Sequence, residues 1–171
     1  MFEKRQDIVI CRARFYKDEP FYLVMFDNLN NTKKFITFLS RRKDPTKNIP
    51  FVKENFEDLL SVDLENPVTY LDTINTTIKD AYSEEKCILN IYFIDVENNE
   101  ALRKKVFSLG GKLFFWVRQP ELECDNDFIA YNKDVFDFFY DFLTKEQANH
   151  REIVLPLDTA SDDETTSNKA S

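Results

Sequence analysis

The sequence predicts an α/β fold, a three-layer sandwich with a mostly parallel central sheet. Two unbroken apolar runs, Cys87–Ile94 and Leu113–Val117, have the length and composition of strands that are buried on both faces. The amphipathic segment between them stops at Gly110, a residue type that commonly ends helices. Two buried strands joined by a helix are expected to lie parallel with a right-handed crossover, so helices should cover both faces of the sheet.

The N-terminal half is predicted to contain two strands and three helices. Asp7–Tyr16 alternates apolar and polar residues, and Phe21–Phe26 is a continuous apolar run, so both are predicted as strands. The three helices are predicted from apolar residues at helical spacing, with Pro67 in the first turn of the last one. They are Lys33–Arg42, Val52–Leu60 and Val68–Tyr82.

The C-terminal part is predicted to end the domain with a short strand, Phe128–Tyr131, and a helix, Lys133–Gln147. Ile153–Leu157 is apolar and is expected to add an edge strand or a docking segment. Residues 1–157 are therefore expected to form a single α/β domain. Residues 158–171 are rich in Ser, Thr, Asp and Glu, and we expect a disordered acidic tail.

The charge and the cysteines exclude several classes of site. The formal net charge of −8 opposes direct binding to nucleic acid, which needs cations that displace counterions. Cys11, Cys87 and Cys124 are widely spaced without a CxxC pair, which indicates free thiols in a reducing compartment. His150 is the only histidine, so no metal site is predicted. No apolar span is long enough to cross a membrane, and we expect a cytoplasmic protein.

Several motifs follow one another in order between residues 68 and 145. One strand ends in Asp, an Asn-Asn-Glu helix start follows, a Gly-Gly pair comes next, and the second strand ends in Arg-x-Pro. They are Asp95-Val96, Asn98-Asn99-Glu100, Gly110-Gly111 and Arg118-Gln119-Pro120. This order resembles the C-terminal half of the deoxynucleoside monophosphate kinases of tailed phages, and the resemblance implies a P-loop-kinase-like fold.

The segment that would be the phosphate loop departs from that family. The family pattern is G-x-x-x-x-G-K-[ST], whereas Asp27–Lys34 is shorter and has no glycine. Side chains at those positions obstruct a backbone path that wraps its amides around a phosphate. Glu97 stands where the family has an arginine, and Glu121–Asp127 replaces a cationic lid with acids. The resemblance therefore implies a kinase scaffold without the P-loop, and no catalytic residue is predicted.

Four residues are candidates for ligand binding. Lys33 and Lys34 begin a predicted helix and are candidates for a crude anion site, with solvated side chains as the alternative. Asp95 and Arg118 each end a predicted parallel strand, the edge at which α/β proteins bind ligands. The alternatives are a helix cap for Asp95, and for Arg118 a salt bridge to Asp95 or Asp127.

Phe138 and Tyr140 are candidates for binding a partner. Both lie off the main apolar stripe of the predicted terminal helix, which is rich in Phe. Either the helix is buried on two sides, or these rings form a hydrophobic docking face.

The function expected from these observations is that of a non-catalytic accessory protein that binds a protein partner. Abundant Phe, Lys, Asn and Ile and scarce Gly indicate a phage or another AT-rich genome as its source. The protein would inhibit a host enzyme or join a viral assembly or replication complex. The alternatives are a kinase-like nucleotide-binding enzyme with an aberrant phosphate loop and an acidic mimic of nucleic acid. No cofactor is expected.

Overall fold

The computed structural model describes residues 3–16, 19–79, 84–96 and 104–158. In that part of the chain it contains seven strands and four helices. The strands are β1 (Glu3–Tyr16), β2 (Glu19–Asp27), β3 (Thr32–Leu39), β4 (Thr69–Lys79), β5 (Glu84–Val96), β6 (Val106–Leu109) and β7 (Lys112–Val117). The helices are α1 (Ile49–Leu60), α2 (Gln119–Glu123), α3 (Asn126–Tyr131) and α4 (Lys133–Asp158).

The seven strands form one mixed sheet in the order β4-β5-β1-β3-β2-β7-β6. Only β1 and β5 pair in parallel, and every other pairing is antiparallel. The long strand β1 pairs with β3 along Gln6–Val9 and with β2 along Arg12–Tyr16, so it changes partners half-way along its length.

Helices cover both faces of this sheet. Successive strand residues point to opposite faces. Val9 and Ile36 belong to the buried cluster that includes Phe56 of α1. Phe35, the neighbour of Ile36, instead meets the ring of Phe128 in α3, edge to face with the centroids 5.2 Å apart. The predicted α/β class with helices on both sides is therefore confirmed, because strands buried on both faces carry unbroken apolar runs.

The predicted parallel sheet is wrong. β5 and β7 are not neighbours, because β1, β3 and β2 lie between them. The last part of the helix predicted between them is instead the strand β6, which pairs with β7. The turn between β6 and β7 is made by Gly110 and Gly111, which have φ angles of 57° and 77°. Two residues with positive φ are what a tight hairpin needs, so the glycines close a hairpin and do not end a helix. The first part of that predicted helix, 97–103, lies outside the described residues.

Two further predicted helices are strands. The segment predicted as the helix Lys33–Arg42 is β3, which forms a hairpin with β2 through a turn in which Asn31 has φ of 53°. Most of the segment predicted as the helix Val68–Tyr82 is β4, an antiparallel neighbour of β5, and its last residues, 80–82, lie outside the described part of the chain. The threonines and isoleucines of β4 favour strands, and the pairing with β5 selects the strand over the helix that the apolar spacing also allows.

Two short predictions near the C-terminus are also wrong. Phe128–Tyr131 is helical, because Asp125 caps α3 by accepting a hydrogen bond from the Phe128 amide at 3.0 Å. Ile153–Leu157 belongs to α4, so the edge strand is wrong, and the alternative of a docking segment stays a prediction. The predictions for Asp7–Tyr16, Phe21–Phe26, Val52–Leu60 and Lys133–Gln147 are confirmed as β1, β2, α1 and the first part of α4.

The chain divides into two compact units, Met1–Val135 and Phe136–Ser171. The first contains the whole sheet. In the second, Phe139 and Leu143 are buried on α4, while Phe138 is half-buried and stacks on Phe142. The predicted tail lies, from residue 159 onward, outside the described residues. None of the described helices has a stretch apolar and long enough to span a bilayer.

Candidate functional site

A cavity of about 640 Å³ opens on the sheet of the first unit. Its wall comes from strands β1, β3, β4 and β5 and from the junction of α3 with α4. The wall includes the apolar residues Ile8, Leu89 and Val135. Such a combination of an apolar wall with a few polar groups is typical of sites for small molecules.

The polar part of the wall contains two cations and several hydrogen-bonding groups. Lys34 comes from β3, and Lys133 is the first residue of α4. Thr76 and Thr77 come from β4, and the hydroxyl of Thr76 hydrogen-bonds to the carboxylate of Asp134. The cavity therefore brings ammonium, hydroxyl and carboxylate groups together from segments that are far apart in the sequence.

A triangle of hydrogen bonds forms one rim of the cavity. The Tyr131 hydroxyl donates to Asp27 at 2.8 Å, and the Asn30 amide donates to both, to Asp27 at 2.9 Å and to Tyr131 at 3.0 Å. Lys34 lies 4.0 Å from the same carboxylate. Burial opposes ionisation of Asp27, but these hydrogen bonds outweigh it and lower its pKa. Burial and the bond to Asp27 raise the pKa of Tyr131 to about 12.

Asn132 joins the helical part of the wall to the sheet. Its side-chain amide donates to the Lys33 carbonyl at 3.1 Å and to the Phe128 carbonyl at 2.8 Å. Both acceptors are carbonyl oxygens, so the amide nitrogen is the donor and the orientation of the side chain is settled. The junction of α3 with α4 is thereby held against β3, which positions Lys34 and Lys133 on the same cavity.

A second polar cluster, apart from the cavity wall, lies at the segment that joins β3 to α1, and its members Asp7, Asn48 and Asn90 are buried. The Asp7 carboxylate accepts hydrogen bonds from Ser40, Asn48 and Asn90, and no ion pair with Asp7 occurs among the described residues. Burial raises the pKa of Asp7, and the three hydrogen bonds oppose that rise. The side-chain oxygen Oδ1 of Asn48 accepts the backbone amides of the two residues that follow Ser40, each at 3.1 Å.

The outer face of α1 carries three acids, Glu54, Glu57 and Asp58, at the spacing that places residues on one side of a helix. Glu57 accepts the Leu64 amide at 2.7 Å beyond the end of the helix. Within the described ranges, no three Asp, Glu, His or Cys side chains are grouped so that they could hold a metal ion.

The structure places the four predicted ligand residues in four different environments. Lys34 lies in the cavity wall, whereas the Lys33 ammonium lies over the Phe115 ring, 4.8 Å from its centroid. Asp95 ends β5 and pairs with Arg12 of the adjacent parallel strand through two hydrogen bonds of 3.0 and 2.9 Å. It does not reach Arg118, since three strands separate β5 from β7.

Arg118 lies at the N-cap of α2, where its guanidinium pairs with Glu19 at 3.4 Å and Glu121 at 3.5 Å. The predicted salt bridge to Asp95 or Asp127 is therefore wrong in its partner. Phe138 and Tyr140 lie on α4 in the second unit, where Tyr140 is 47% exposed. A role of these two rings in binding a partner stays a prediction.

Sequence reasoning missed most of the cavity. Thr76 was assigned to a helix, and Tyr131 to a strand. Asn132 and Lys133 follow the short helix α3. The local signal for that helix is its N-cap residue Asp125, which precedes Asn-Asp-Phe in the sequence. Nothing local indicates that β4 and α3 meet on the same cavity, because that depends on sheet order.

Comparisons with known proteins bear on the fold. No protein-family model and no curated protein sequence matches the chain. Solved structures do match, among them the Ap4A hydrolase of C. elegans, with 8% identity over 83% of this chain and 99% of that one and a TM-score of 0.54.

Two further solved structures have the same fold. The Nudix domain of Shewanella oneidensis NrtR, solved with ADP ribose, has a TM-score of 0.50 at 8% identity, over 72% of this chain and 77% of that one. The C-terminal domain of mouse MUTYH, solved in complex with human PCNA, has a TM-score of 0.57 at 12% identity, over 84% of this chain and 91% of that one.

These comparisons overturn the resemblance to phage deoxynucleoside monophosphate kinases and, with it, the non-catalytic accessory function expected from a degenerate kinase scaffold. The matched motifs were short. Their interpretation required a helix between two adjacent parallel strands, whereas β5 and β7 are not adjacent in the sheet. The mixed sheet, with α1 on one face and α3 on the other, gives this chain a fold similar to that of the Nudix hydrolases.

Proposed function

We propose that this chain binds a nucleotide that contains a phosphoanhydride bond and hydrolyses that bond. The observation that carries the proposal is a cavity of about 640 Å³ with two lysines in its wall, in a fold similar to that of Nudix hydrolases. The volume falls within the range of roughly 300–1,000 Å³ typical of small-molecule sites. An Ap4A hydrolase and an ADP-ribose complex are among the similar structures, and both ligands are adenosine phosphates joined through an anhydride.

The chemistry of the wall suits such a ligand. Lys34 and Lys133 supply positive charge for the phosphates, and Thr76 and Thr77 supply hydroxyl donors. The apolar residues of the wall, which include Leu89, are suited to a nucleobase or a ribose carbon face. The cations and the apolar surface lie in one cavity, so a single nucleotide satisfies both.

Asp134 is the base in the proposed reaction. Its carboxylate lies in the cavity wall and accepts a hydrogen bond from Thr76. A water oxygen attacks a phosphorus atom, the anhydride P–O bond breaks, and its electron pair stays on the departing phosphate. Asp134 takes the proton of the water. Nucleotides carry Mg²⁺, which proteins usually hold through one or two carboxylates besides the substrate phosphates, so the assay contains Mg²⁺.

Binding is tested by thermal unfolding with ADP-ribose and diadenosine tetraphosphate. A ligand present at 100 times its Kd stabilises the folded state by about 2.7 kcal/mol, which for a chain of this size raises Tm by roughly 5–10 °C. We expect the double variant Lys34→Gln/Lys133→Gln to lose most of that rise. Lys112→Gln, an exposed lysine on β7 outside the cavity, is the control for a change of charge and should keep it.

Hydrolysis is tested by 31P NMR with the same two compounds. We expect phosphate products from the wild-type chain and a loss of at least about tenfold in rate in Asp134→Asn. The proposal fails if neither compound raises Tm or is cleaved. If Glu54→Gln abolishes cleavage while Asp134→Asn leaves it unchanged, the chemistry belongs to the acidic face of α1, and the assignment to the cavity is wrong.

A further inference from the structure

The hairpin formed by β6 and β7, residues 104–117, buries only one of its two faces. On one face Phe107 packs against the core cluster and stacks on Phe114, with the ring centroids 5.2 Å apart. Strand residues alternate between faces, so Val106 and Leu113 lie on the other face. Val106 is 48% exposed and Leu113 is 39% exposed. The β6–β7 hairpin therefore carries an apolar surface that is open to solvent.

The outer edge of β6 presents backbone groups that can form hydrogen bonds. The Trp116 amide donates to the Lys105 carbonyl at 2.8 Å, so these two residues form a hydrogen-bonded pair. Such pairs alternate along an antiparallel ladder, and the amides and carbonyls of Val106 and Ser108 therefore point away from β7. β6 is the last strand of the sheet, and no described strand lies on that side. This edge is able to accept one more strand.

The β6–β7 hairpin is basic, whereas the chain as a whole has a net charge of −8. It contains three lysines and no acid. Lys104 and Lys112 are exposed and form no ion pair with any residue that the structure describes. Lys105 lies 3.6 Å from Glu121 and stays exposed. Positive charge therefore borders the exposed apolar surface at both ends of β6.

This charge determines which partner strand suits the edge. Two copies of the chain that paired through β6 would bring their lysines together, and like charges across a strand pair are destabilising. An acidic strand brings the opposite charge. Lys105 and Leu109, the residue opposite Lys112, lie about 13 Å apart at roughly 3.3 Å per strand residue. A partner strand with acids about four residues apart reaches the charge at both ends, and its apolar side chains between them cover Val106.

We propose that the β6–β7 hairpin binds an extended acidic segment of a partner protein, which adds to the sheet as a strand beside β6. Main-chain hydrogen bonds to Val106 and Ser108 supply affinity that does not depend on sequence, and the lysines select acidic segments. No residue of the hairpin lines the cavity described above. This binding is therefore separate from the proposed hydrolysis and can be tested without a nucleotide.

The test is a fluorescence anisotropy titration of the full chain with a labelled synthetic peptide. The peptide has two Glu at each end and alternating Val and Thr between them. We expect saturable binding that weakens as salt is added, because exposed charges are screened. The same peptide with Lys in place of Glu should bind at least about tenfold more weakly, since it places like charges together.

Two variants separate the contribution of charge from that of the strand edge. Lys104→Gln/Lys112→Gln should weaken binding of the acidic peptide by about fivefold, since each exposed ion pair contributes a small part of the affinity. Lys43→Gln/Lys47→Gln removes the same charge from two exposed lysines outside the hairpin and should stay within twofold. Ser108→Pro removes an outward amide and keeps every charge, so it should weaken binding by at least about fivefold.

The fluorescence of Trp116, which is 1% exposed, reports whether each variant is folded. The proposal is overturned if the wild-type chain binds neither peptide or binds both equally, or if the folded lysine variant binds as tightly as its control. Tighter binding of an oligothymidylate or of phosphatidylserine vesicles than of the acidic peptide assigns the lysines to those partners and also overturns it. Self-association in sedimentation that Ser108→Pro abolishes assigns the edge to a second copy, with the same consequence.

Discussion

Replacing Asn48 with alanine tests the idea that this one side chain holds the segment between β3 and α1 in place. The fully buried amide accepts two backbone N–H groups, those of Arg41 and Arg42, and donates to the buried carboxylate of Asp7. Alanine leaves all three groups without that partner. Two neutral hydrogen bonds contribute about 1 kcal/mol each, and one to a charged group about 1.5–2, so the free energy of unfolding should fall by about 3–4 kcal/mol.

That loss is large against a total stability of about 5–15 kcal/mol, and it corresponds to a fall in Tm of roughly 10 °C. Urea unfolding followed by the fluorescence of Trp116, the only tryptophan and a core residue, measures it directly. Asn55→Ala is the matched control, since this half-buried residue lies on α1 and makes none of these bonds. We expect the control to change stability by less than about 0.5 kcal/mol.

The cost of Asn48→Ala should depend on pH, in a direction set by Asp7. Burial raises the pKa of Asp7 in the folded state above its ordinary value of 3.8, so the folded state binds this proton more tightly than the unfolded state. The stability that Asp7 contributes is fully present below its unfolded pKa and is lost as the pH rises through the folded pKa. Asn48 donates to the ionised carboxylate, so its removal should cost more at pH 7 than at pH 4.

Asn48→Asp gives a stronger version of the same test. It places a second carboxylate against Asp7, so it should be more destabilising than alanine at pH 7 and should recover as acid protonates the pair. A loss below about 1 kcal/mol for Asn48→Ala at pH 7, or a loss that grows as the pH falls, would refute this reasoning.

Three other predictions concern the cavity rim, the core and the thiols. Tyr131→Phe should raise the pKa of Asp27 toward its ordinary value and lower the free energy of unfolding by about 1 kcal/mol at pH 7. That loss should disappear as Asp27 is protonated in acid. Carboxyl NMR titration and urea unfolding check this, and an unchanged Asp27 pKa contradicts it. Phe56→Ala should cost about 3–5 kcal/mol in urea unfolding, because Phe56 is fully buried between α1 and the sheet, and a loss under 1 kcal/mol would contradict that packing. In the native protein a chromogenic disulfide reagent should react quickly with the exposed Cys124 alone, since burial raises the pKa of Cys11; fast reaction of a second thiol would disprove this.

The errors of the sequence analysis have one physical cause. A short apolar run such as that of β3, Phe35-Ile36-Thr37-Phe38-Leu39, fits the helical period and the strand period equally well. Pairing with β1 and β2 on either side decides for the strand, and that pairing is made by residues distant in the chain. The threonines of β4 carried a local preference for strand that the apolar period outweighed.

The candidate site depended even more on distant contacts. Lys34 was identified by its charge near a segment boundary, but its partners in the cavity wall, Thr76 and Lys133, come from β4 and α4. The predicted pair of Asp95 and Arg118 followed from a parallel order of strands that the sheet does not have. Asp95 instead pairs with Arg12, because β1 is the parallel neighbour of β5.

The sequence by itself determined the α/β class, six of the helices and strands, and the charge balance, because apolar periodicity and composition act over a few neighbouring residues. Only the tertiary structure decided the order and direction of the strands, and with them which polar side chains share a cavity. Strand order depends on the energies of pairings between segments tens of residues apart, and no local pattern in the chain records them.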